Sequence, residues 1–400
     1  MFHSIAFDQT ERKRGLLTHV FHERWTNDPI LRDNFFCNTY RVLDKLSQYL
    51  ISEVIEKGPQ TPEEVVFRVL LFHSFTRIET WELLAKHCGP LEWKTYNHNK
   101  YKKVLEDAFK AGQTLYTSAF IKPAPHFVSS QNYVNHLHLL ETMMNNQLAF
   151  RILGAPYLAD VYEYIISFPS MGPFMTYQLM LCLSYSDVLN FHHNDFVIAG
   201  PGSISGLNKL FGKKSMAHGR TTVVNFEAEV MRYMANTQDE HFKRLGLEFS
   251  GLGPQRLPMG VADIEHTLCE VDKYCRAAHP ELQGKKKHLV RLFKPPPTAY
   301  TPSAPSPAIL PKAWSHPARR TPRIREDKVL KVEKRYEVEH LADHRDTPNG
   351  KQYFVYWVGY SAKDASWEFE SSLLQDTPES VEEYLASLKK GRSRTSKKRN

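Results

Sequence analysis

The chain has few cysteines and no long apolar run, and both absences narrow the class of protein. Its five cysteines show no paired CxxC spacing in 400 residues, so we expect reduced thiols in a nuclear or cytosolic protein, without a disulfide framework. No run of 18 or more apolar residues occurs, so no membrane-spanning helix and no membrane partner are predicted. The first fifteen residues contain no apolar signal core, so no secretory leader is expected.

Acidic residues are missing from two stretches of the chain, and the net charge of +8 is therefore concentrated in these two stretches. Residues 285–325 contain ten Lys/Arg and no Asp/Glu, and residues 389–400 add seven Lys/Arg and no acid. These seventeen positive charges exceed the net charge of +8, so the rest of the chain carries a net charge of 8 − 17 = −9. Attraction to nucleic acid is therefore expected mainly from these segments. The tail at 389–400 also fits a nuclear-localisation patch, although such an end can simply aid solubility.

A phosphate-binding loop is also missing. The segment GLNKLFGKKS at 206–215 is superficially similar to one, but that motif needs four residues between its glycines and Ser/Thr directly after the Lys. Here five residues separate Gly206 from Gly212, and Lys214 follows Lys213. No nucleotide-dependent kinase site is predicted, and neither a cofactor nor a metal site is predicted.

Apolar spacing predicts an all-α domain over 15–284, followed by a second, smaller domain. Period-two alternation is rare in this region, whereas helical spacing is frequent. The predicted helices cover 33–50, 61–75, 80–85, 100–109, 134–148, 157–166, 174–183, 223–235 and 263–276. Nine prolines and ten basic residues at 285–325 predict a semi-extended linker, 285–332, that does not pack. The small domain covers 333–388, and the basic tail covers 389–400.

The small domain has the pattern of a short sheet followed by a helix. A strand is predicted from Gln352, after a Pro-Asn-Gly turn at 348–350, and Trp367-Glu368 belongs to a third strand. A helix then begins near Pro378, with Val381, Tyr384, Leu385 and Leu388 on one face. This order resembles a chromodomain over 336–385, which implies a three-stranded antiparallel sheet with a C-terminal helix.

The chromodomain resemblance implies an aromatic cage for a methylated lysine. The family's cage aromatics fall on Tyr336, Trp357 and Tyr360, with Asp364 at the adjacent acidic position. Ring faces attract a methylated ammonium because it carries charge but few donors. The implied partner is a methylated histone tail, of histone H3, added as a strand beside residues 334–339. Alternatively, the aromatics are ordinary cross-strand pairs. Some chromodomains of mobile-element integrases also keep the fold but lose the cage.

The segment 157–211 resembles the helix-hairpin-helix region of DNA glycosylases. Gly172 lies in a hairpin between two apolar helices, and Asp195 follows it by 23 residues, about where these enzymes carry their catalytic aspartate. Bifunctional glycosylases also have a Lys near the hairpin, whereas here the sequence is Pro173-Phe174-Met175, so a Schiff-base lyase mechanism is not expected. Gly200 and Gly202 belong to a tight loop that leads into a helix, and this loop could hold a phosphate. Alternatively, Gly172 belongs to an ordinary helix–helix turn and Asp195 to a helix cap.

Several peptides together are similar to one family. They include WTNDPIL from Trp25, FCNTYRVLD from Phe36, the hairpin PSMGPFMTYQ, DFVIAGPG from Asp195, and DIEHTLCEVDKY from Asp263. They resemble the helical domain associated with 5-hydroxymethyl-deoxyuridine DNA kinases, related to the α-glutamyl/putrescinyl thymine pyrophosphorylases. This resemblance covers about 15–280. It implies recognition or modification of thymine-type bases in DNA, and base flipping would need a pocket with a carboxylate.

The polar residues of these motifs are the candidate DNA-binding or base-binding residues. Asn38, Arg41 and Asp44 share one face of the predicted helix at 33–50, where Arg41 could hold a phosphate. Gln178 could bind a base edge. A buried salt-bridge network is the alternative.

Three functions stay open: a nuclear chromatin protein with a base-modifying or glycosylase-like activity involving Asp195, a non-catalytic chromatin adaptor derived from a mobile element, and plain chromatin binding through the basic segments.

Overall fold

The protein is described from a computed structural model, and it divides into two compact units, Met1–Leu330 and Lys331–Asn400. The structure describes residues 26–117, 127, 129–249, 251–282, 292, 308–325, 338–347, 350–357, 365–370, 373–374, 377 and 380–388. Among the described residues, no helix combines the length and the apolar character that a membrane crossing needs.

The first unit is built from helices. They are α1 Pro29–Asp33, α2 Lys45–Tyr49, α3 Pro62–Phe75, α4 Ile78–Cys88, α5 His98–Lys110, α6 Asn132–Asn145, α7 Leu148–Leu153, α8 Leu158–Ile166, α9 Pro173–Leu183, α10 Pro201–Phe211, α11 Lys213–Thr222, α12 Phe226–Arg244 and α13 Val261–Ala278. Short 3-10 turns cover Arg41–Leu43, Trp93–Thr95, Pro280–Leu282, Lys312–Ser315 and Pro317–Arg320, and a π-helical turn covers Leu50–Ile55. The predicted mainly helical front domain is confirmed.

The centre of this unit is α3, which is buried on all sides. It starts with Pro62 at its first position, where the missing N–H costs no hydrogen bond, and ends at Thr76 in a left-handed conformation with φ of 49°. Twelve of its 14 residues are buried, including Arg68. Arg68 Nε donates to the carbonyl of Val54 at 2.7 Å, so the buried charge stays hydrogen-bonded. A helix that is apolar all round needs neighbours on every side, and α7, α9 and the Leu50–Ile55 turn pack on it.

The continuous helix predicted over 33–50 is wrong. Tyr40 and Asp44 both have extended backbone, with ψ of 115° and 141°, and only short helical turns flank them. The side chain of Asp44 accepts hydrogen bonds from Asn38 and Arg41. The backbone N–H of Arg41 donates to the side chain of Asp263, so a tertiary partner decides the local structure. The three polar residues still meet, but through an irregular loop.

Residues 308–325, which we call the docked linker, pack on the helical unit, whereas the sequence predicted a segment that does not pack. Ala313 is 4% exposed, the ring of Trp314 lies 6.2 Å from that of Tyr185, and Gln48 exchanges two hydrogen bonds with Ile309. Proline-rich composition correctly predicts the lack of long helices or strands, but it does not reveal the side chains that bury. Apart from Leu292, residues 283–307 and 326–337 lie outside the described part of the chain.

The second unit contains a three-stranded antiparallel sheet in the order β1 Val338–Thr347, β2 Gly350–Trp357 and β3 Ser366–Phe369. Thr347 pairs with Gly350, and Trp367 on β3 pairs with Phe354. A C-terminal helix covers 380–388. This confirms the predicted sheet and helix. Residues 348–349 of the predicted turn lie outside the described residues.

The core of the second unit forms where one sheet face meets the C-terminal helix. It contains Val338, Leu341, Tyr353, Val355, Leu373 and Val381, with Tyr384 packed against it. The predicted apolar helix face is therefore correct for Val381 and Tyr384, but Leu385 and Leu388 are both 38% exposed. A three-stranded sheet is too narrow to cover a wider stripe of the helix.

Candidate functional site

The helical unit contains a central cavity of about 220 Å³. Its wall is mostly apolar, and its polar side chains include those of Tyr40, Arg41, Tyr177, Ser184, Tyr185, His192, His193, Asp263 and Arg319. Sites for drug-sized ligands are typically about 300–1,000 Å³. This smaller volume suits one small planar molecule better than a whole nucleotide.

Arg41 brings a charged side chain to the cavity wall. Its guanidinium donates to Asp44 Oδ2 at 3.1 Å and to Gln178 Oε1 at 2.7 Å, and its backbone N–H donates to Asp263 Oδ1 at 2.9 Å. Burial disfavours the charge, but Asp44 opposes that effect and the pKa of Arg41 is raised. Arg41 therefore stays cationic. The structure thus brings together the predicted Asn38–Arg41–Asp44 group and Gln178 from α9.

Asp263 is held at the start of α13 by two backbone hydrogen bonds. Its second oxygen, Oδ2, accepts from the N–H of Gly260 at 3.0 Å. Burial raises the pKa of Asp263 to about 6, although the two N–H donors and Arg41 act in the opposite direction. The carboxyl is therefore close to its midpoint near neutral pH, a property that functional sites share with structural networks.

Tyr177, on α9, brings a buried hydroxyl to the same region. The residue is 3% exposed, and among the described residues its Oη finds no hydrogen-bond partner. Burial raises its pKa well above the ordinary value, so the hydroxyl keeps its proton. A buried hydroxyl without a partner is costly, and a polar ligand group or a water would offset that cost.

Two neighbouring histidines separate the cavity from an outer groove of about 430 Å³. His192 and His193 line both spaces, and their rings stack with centroids 4.2 Å apart. His192 Nδ1 accepts from the N–H of Asn194 at 3.1 Å, so it is unprotonated. Desolvation, with His192 and Arg319 nearby, lowers the pKa of His193 to about 4, although part of the side chain is exposed. A ligand entering from this groove meets two neutral imidazoles.

Asp195 lies behind these histidines and is 4% exposed. Its Oδ2 accepts from the N–H of His192 at 3.1 Å, and its Oδ1 accepts from the N–H of Arg323 at 2.7 Å. Burial raises its pKa, although both N–H donors oppose the rise. Asp195 is not among the residues that line the central cavity. Asp195 lies in a turn and not at a helix terminus, so it does not cap a helix, and its contacts hold the turn against residue 323. A catalytic role of Asp195 stays a prediction.

The glycines of the two predicted loops lie at helix starts. Gly172 is the residue before α9, with an ordinary φ of −74°. Gly200 precedes α10, and its N–H donates to Glu265 Oε1 at 3.1 Å, so a carboxylate already occupies this helix N-terminus. A Cβ on Gly202 would lie 2.8 Å from the sulfur of Cys269. Close packing between α10 and α13 thus explains Gly202, and DNA contacts by these three glycines stay predictions.

Two groups of described residues have the spacing that a metal ion needs. They are His98, His138 and Glu141, and Cys37, His266 and Glu270. In the first group His98 Nδ1 lies 2.7 Å from Glu141 Oε1, and in the second Lys273 Nζ donates to Glu270 Oε1 at 2.7 Å. Both carboxylates thus have protein partners, and neither group lines the central cavity.

The predicted methyl-lysine cage lies mostly outside the described residues. Tyr336, Tyr360 and Asp364 are outside them, and Trp357 is described only as the backbone end of β2, paired with Val338. Nearby rings are described: His340 stacks on Tyr356 at 4.6 Å. The cage stays a prediction.

An all-α unit with a central cavity, joined in one chain to a three-stranded sheet with a C-terminal helix, defines a two-domain protein. The profile of the chromo (chromatin organisation modifier) domain matches residues 336–387. The profile described as "5-hmdU DNA kinase, helical domain" matches residues 10–284. The chain belongs to this helical-domain family.

A relative in Bacillus phage SP10 carries the name 5-hmdU DNA kinase. It is 23% identical over 272 residues, which are 62% of this chain and 40% of the phage protein. The match therefore spans less than half of the relative. No solved structure matches the chain significantly. The helical domain links the chain to modified-thymine DNA metabolism, and the chromo domain indicates an association with chromatin.

Most residues of the cavity wall were not predicted from the sequence. Tyr177 follows the predicted hairpin but has no pattern that separates it from core aromatics, while the pair His192-His193 is a visible signal beside Asp195. Trp314 and Arg319 belong to the segment predicted not to pack, so no sequence pattern pointed to them.

Proposed function

We propose that this is a nuclear chromatin protein whose helical unit binds a thymine-type modified base of DNA in the central cavity. The observation that carries the proposal is the cavity of about 220 Å³ with Arg41 and Asp263 on its wall. Such a base offers two ring carbonyls, an N–H and a 5-substituent. Arg41 and protonated Asp263 supply donors, and ionised Asp263 supplies an acceptor.

The base reaches the cavity by leaving the duplex. The outer groove of about 430 Å³ beside His192 and His193 is the proposed position of the flanking backbone. Arg232 on the groove wall already pairs with Glu229 and with the carbonyls of Asn194 and Asp195, so we assign no phosphate contact to it. Unstacking costs a few kcal/mol, which is one reason that such proteins favour damaged or mispaired bases. Since the sequence contains no phosphate-binding loop, we propose base recognition and do not extend the relative's kinase name to this chain.

The test measures binding of the full chain to single- and double-stranded oligonucleotides that carry one 5-hydroxymethyluracil or one thymine. Leu181→Trp fills the cavity, whose wall includes Leu181, and Leu210→Trp is the matched control at a 37% exposed site outside it. We expect Leu181→Trp to remove the preference for the modified base while the control keeps it. Equal binding of both oligonucleotides by the unaltered protein would refute the proposal.

We propose further that the chromo domain binds a methylated lysine of histone H3 through Tyr336, Trp357 and Tyr360, with Asp364 beside them. Support comes from the match at 336–387 and from the β2 strand that ends at Trp357. The test compares trimethylated and unmethylated H3 peptides. Trp357→Ala should end the preference, whereas the control Tyr356→Ala, whose ring stacks on His340, should keep it. Equal binding of both peptides by the unaltered protein contradicts the cage.

A non-catalytic adaptor is the second candidate function. It is favoured by the backbone hydrogen bonds that occupy both oxygens of Asp195. The oligonucleotide binding test above separates base recognition from an adaptor without it. Incubation of the full chain with 5-hydroxymethyluracil DNA and its phosphorylated form, followed by nucleoside analysis, separates a catalytic from a non-catalytic helical unit. A released or altered base identifies an enzyme, and unaltered DNA identifies a binding protein.

A further inference from the structure

The docked linker, 308–325, follows the last residue matched by the helical-domain family, residue 284. Nevertheless it supplies two side chains, Trp314 and Arg319, to the wall of the central cavity. The cavity of this chain is therefore closed by residues that the family domain alone does not contain.

Arg319 fixes the middle of the docked linker. One of its terminal nitrogens donates to the carbonyls of Ser184 at 2.8 Å and Ser186 at 3.0 Å, and also to the carbonyl of Leu189. These carbonyls lie at and beyond the C-terminal end of α9, where a helix favours a cation. Burial lowers the pKa of Arg319 to about 10, so it still stays charged at neutral pH.

Two further arginines hold the end of the docked linker. The guanidinium of Arg323 lies 4.5 Å from the ring centre of Phe191 and donates to the carbonyl of Asn190. The side chain of Arg325 is 2% exposed and pairs with Asp160 and Glu163 of α8. Three arginines at 319–325 thus hold the chain against the cavity by backbone carbonyls, carboxylates and a ring face.

These anchors hold Trp314 at the cavity wall, where it is one of several aromatic residues beside Tyr185, Phe191 and Phe196. Its ring contacts Tyr185, which also lines the cavity, and the preceding Ala313 is buried. A pyrimidine offers a π face, and stacking on an aromatic side chain tolerates different ring substituents. The aromatic wall residues Trp314 and Tyr185 are therefore suited to the face of the ring. Arg41 and Asp263 are suited to its polar edge.

We propose that the docked linker is a ligand-binding element, in which Trp314 contacts the face of the bound pyrimidine and Arg319 positions Trp314. This inference rests on the proposed function of the cavity. The ligand site of this chain is incomplete without residues 308–325, so a protein ending at residue 284 binds the base more weakly than the full chain.

The experiment uses the full chain and the 5-hydroxymethyluracil oligonucleotide. Trp314→Ala should weaken binding by about five- to 150-fold, which corresponds to the loss of one base–aromatic stack, and Trp314→Phe should restore most of it. The control is Lys312→Ala, because Lys312 is 82% exposed at its side chain, pairs with Glu56 and does not line the cavity. Equal binding by Trp314→Ala and the unaltered protein overturns the proposal.

A second measurement tests whether the docked linker lines the cavity, independently of which base the cavity binds. The six tryptophans are labelled with 5-fluorotryptophan, and Trp314→Phe identifies the fluorine signal of Trp314. Xenon enters apolar cavities whatever their natural ligand, so xenon pressure should shift this signal. A shift without any preference for the modified base refutes only the proposed function. An unmoved Trp314 signal refutes the docked linker as a cavity wall.

Discussion

Replacing Gly206 by alanine is expected to force α10 away from α13 and to destabilise the helical unit. A Cβ on Gly206 would lie 2.3 Å from the carbonyl oxygen of Leu268, whereas ordinary contact begins at 3.4 Å. The two backbones must therefore separate by about 1.1 Å. A backbone carbonyl inside a helix cannot rotate away as a side chain can, so the strain spreads over the whole helix pair.

The expected loss of unfolding free energy is about 2 kcal/mol or more. Overpacking a well-packed contact costs about 1–3 kcal/mol, and occasionally more. We expect a backbone clash to cost at or above the upper end of that range. The higher helix propensity of alanine offsets about 1 kcal/mol of this loss. Gly154→Ala is the matched control, because Gly154 has φ of −84° and its Cβ would lie 3.3 Å from the nearest atom.

The assay is urea unfolding followed by far-ultraviolet circular dichroism, which is dominated by the helical unit. We expect a lower midpoint for Gly206→Ala and little change for Gly154→Ala. If Gly206→Ala is as stable as the unaltered protein but loses DNA binding, the glycine-rich segment contacts phosphate and our packing argument is refuted.

Two further predictions concern buried carboxyls. Because the pKa of Asp263 is raised from 3.8 to about 6, its protonated form stabilises the folded state fully below pH 3.8 and that contribution is lost as the pH rises through 6. The advantage of the unaltered protein over Asp263→Asn should therefore shrink by about 1–3 kcal/mol between pH 4 and pH 7, and a constant difference in unfolding free energy contradicts the burial of this carboxyl. Asp195→Asn should cost about 1–3 kcal/mol, because one of two buried N–H donors loses its acceptor. An unchanged melting temperature argues against a structural role of the Asp195 contacts to His192 and Arg323.

Sequence patterns predicted most helices because their apolar spacing reflects local burial. The segment 61–75 became α3 and 263–276 lies within α13. The helix predicted over 134–148 is interrupted, since Gln147 adopts a left-handed conformation with φ of 57° and α7 begins after it. No local pattern marks this position, because a non-glycine residue with positive φ is stabilised by tertiary packing.

The candidate site was predictable only in part. Arg41 and Asp44 were grouped through a helix that does not form, and they meet because the loop residue Asp44 accepts from both Asn38 and Arg41. Gln178 joins them across 137 positions of sequence, which no local periodicity encodes. The docked linker was predicted not to pack because proline content describes backbone conformation and gives no information on which side chains bury.

The measurement that tests the central claim most directly is a competition experiment with the full chain. A labelled oligonucleotide containing one 5-hydroxymethyluracil is displaced by unlabelled oligonucleotides that are identical except for thymine or cytosine at that position. We predict that the modified competitor is the strongest and that Leu181→Trp makes all three equivalent, because the cavity is then filled. Equal competition by the three oligonucleotides with the unaltered protein would contradict base recognition by the central cavity.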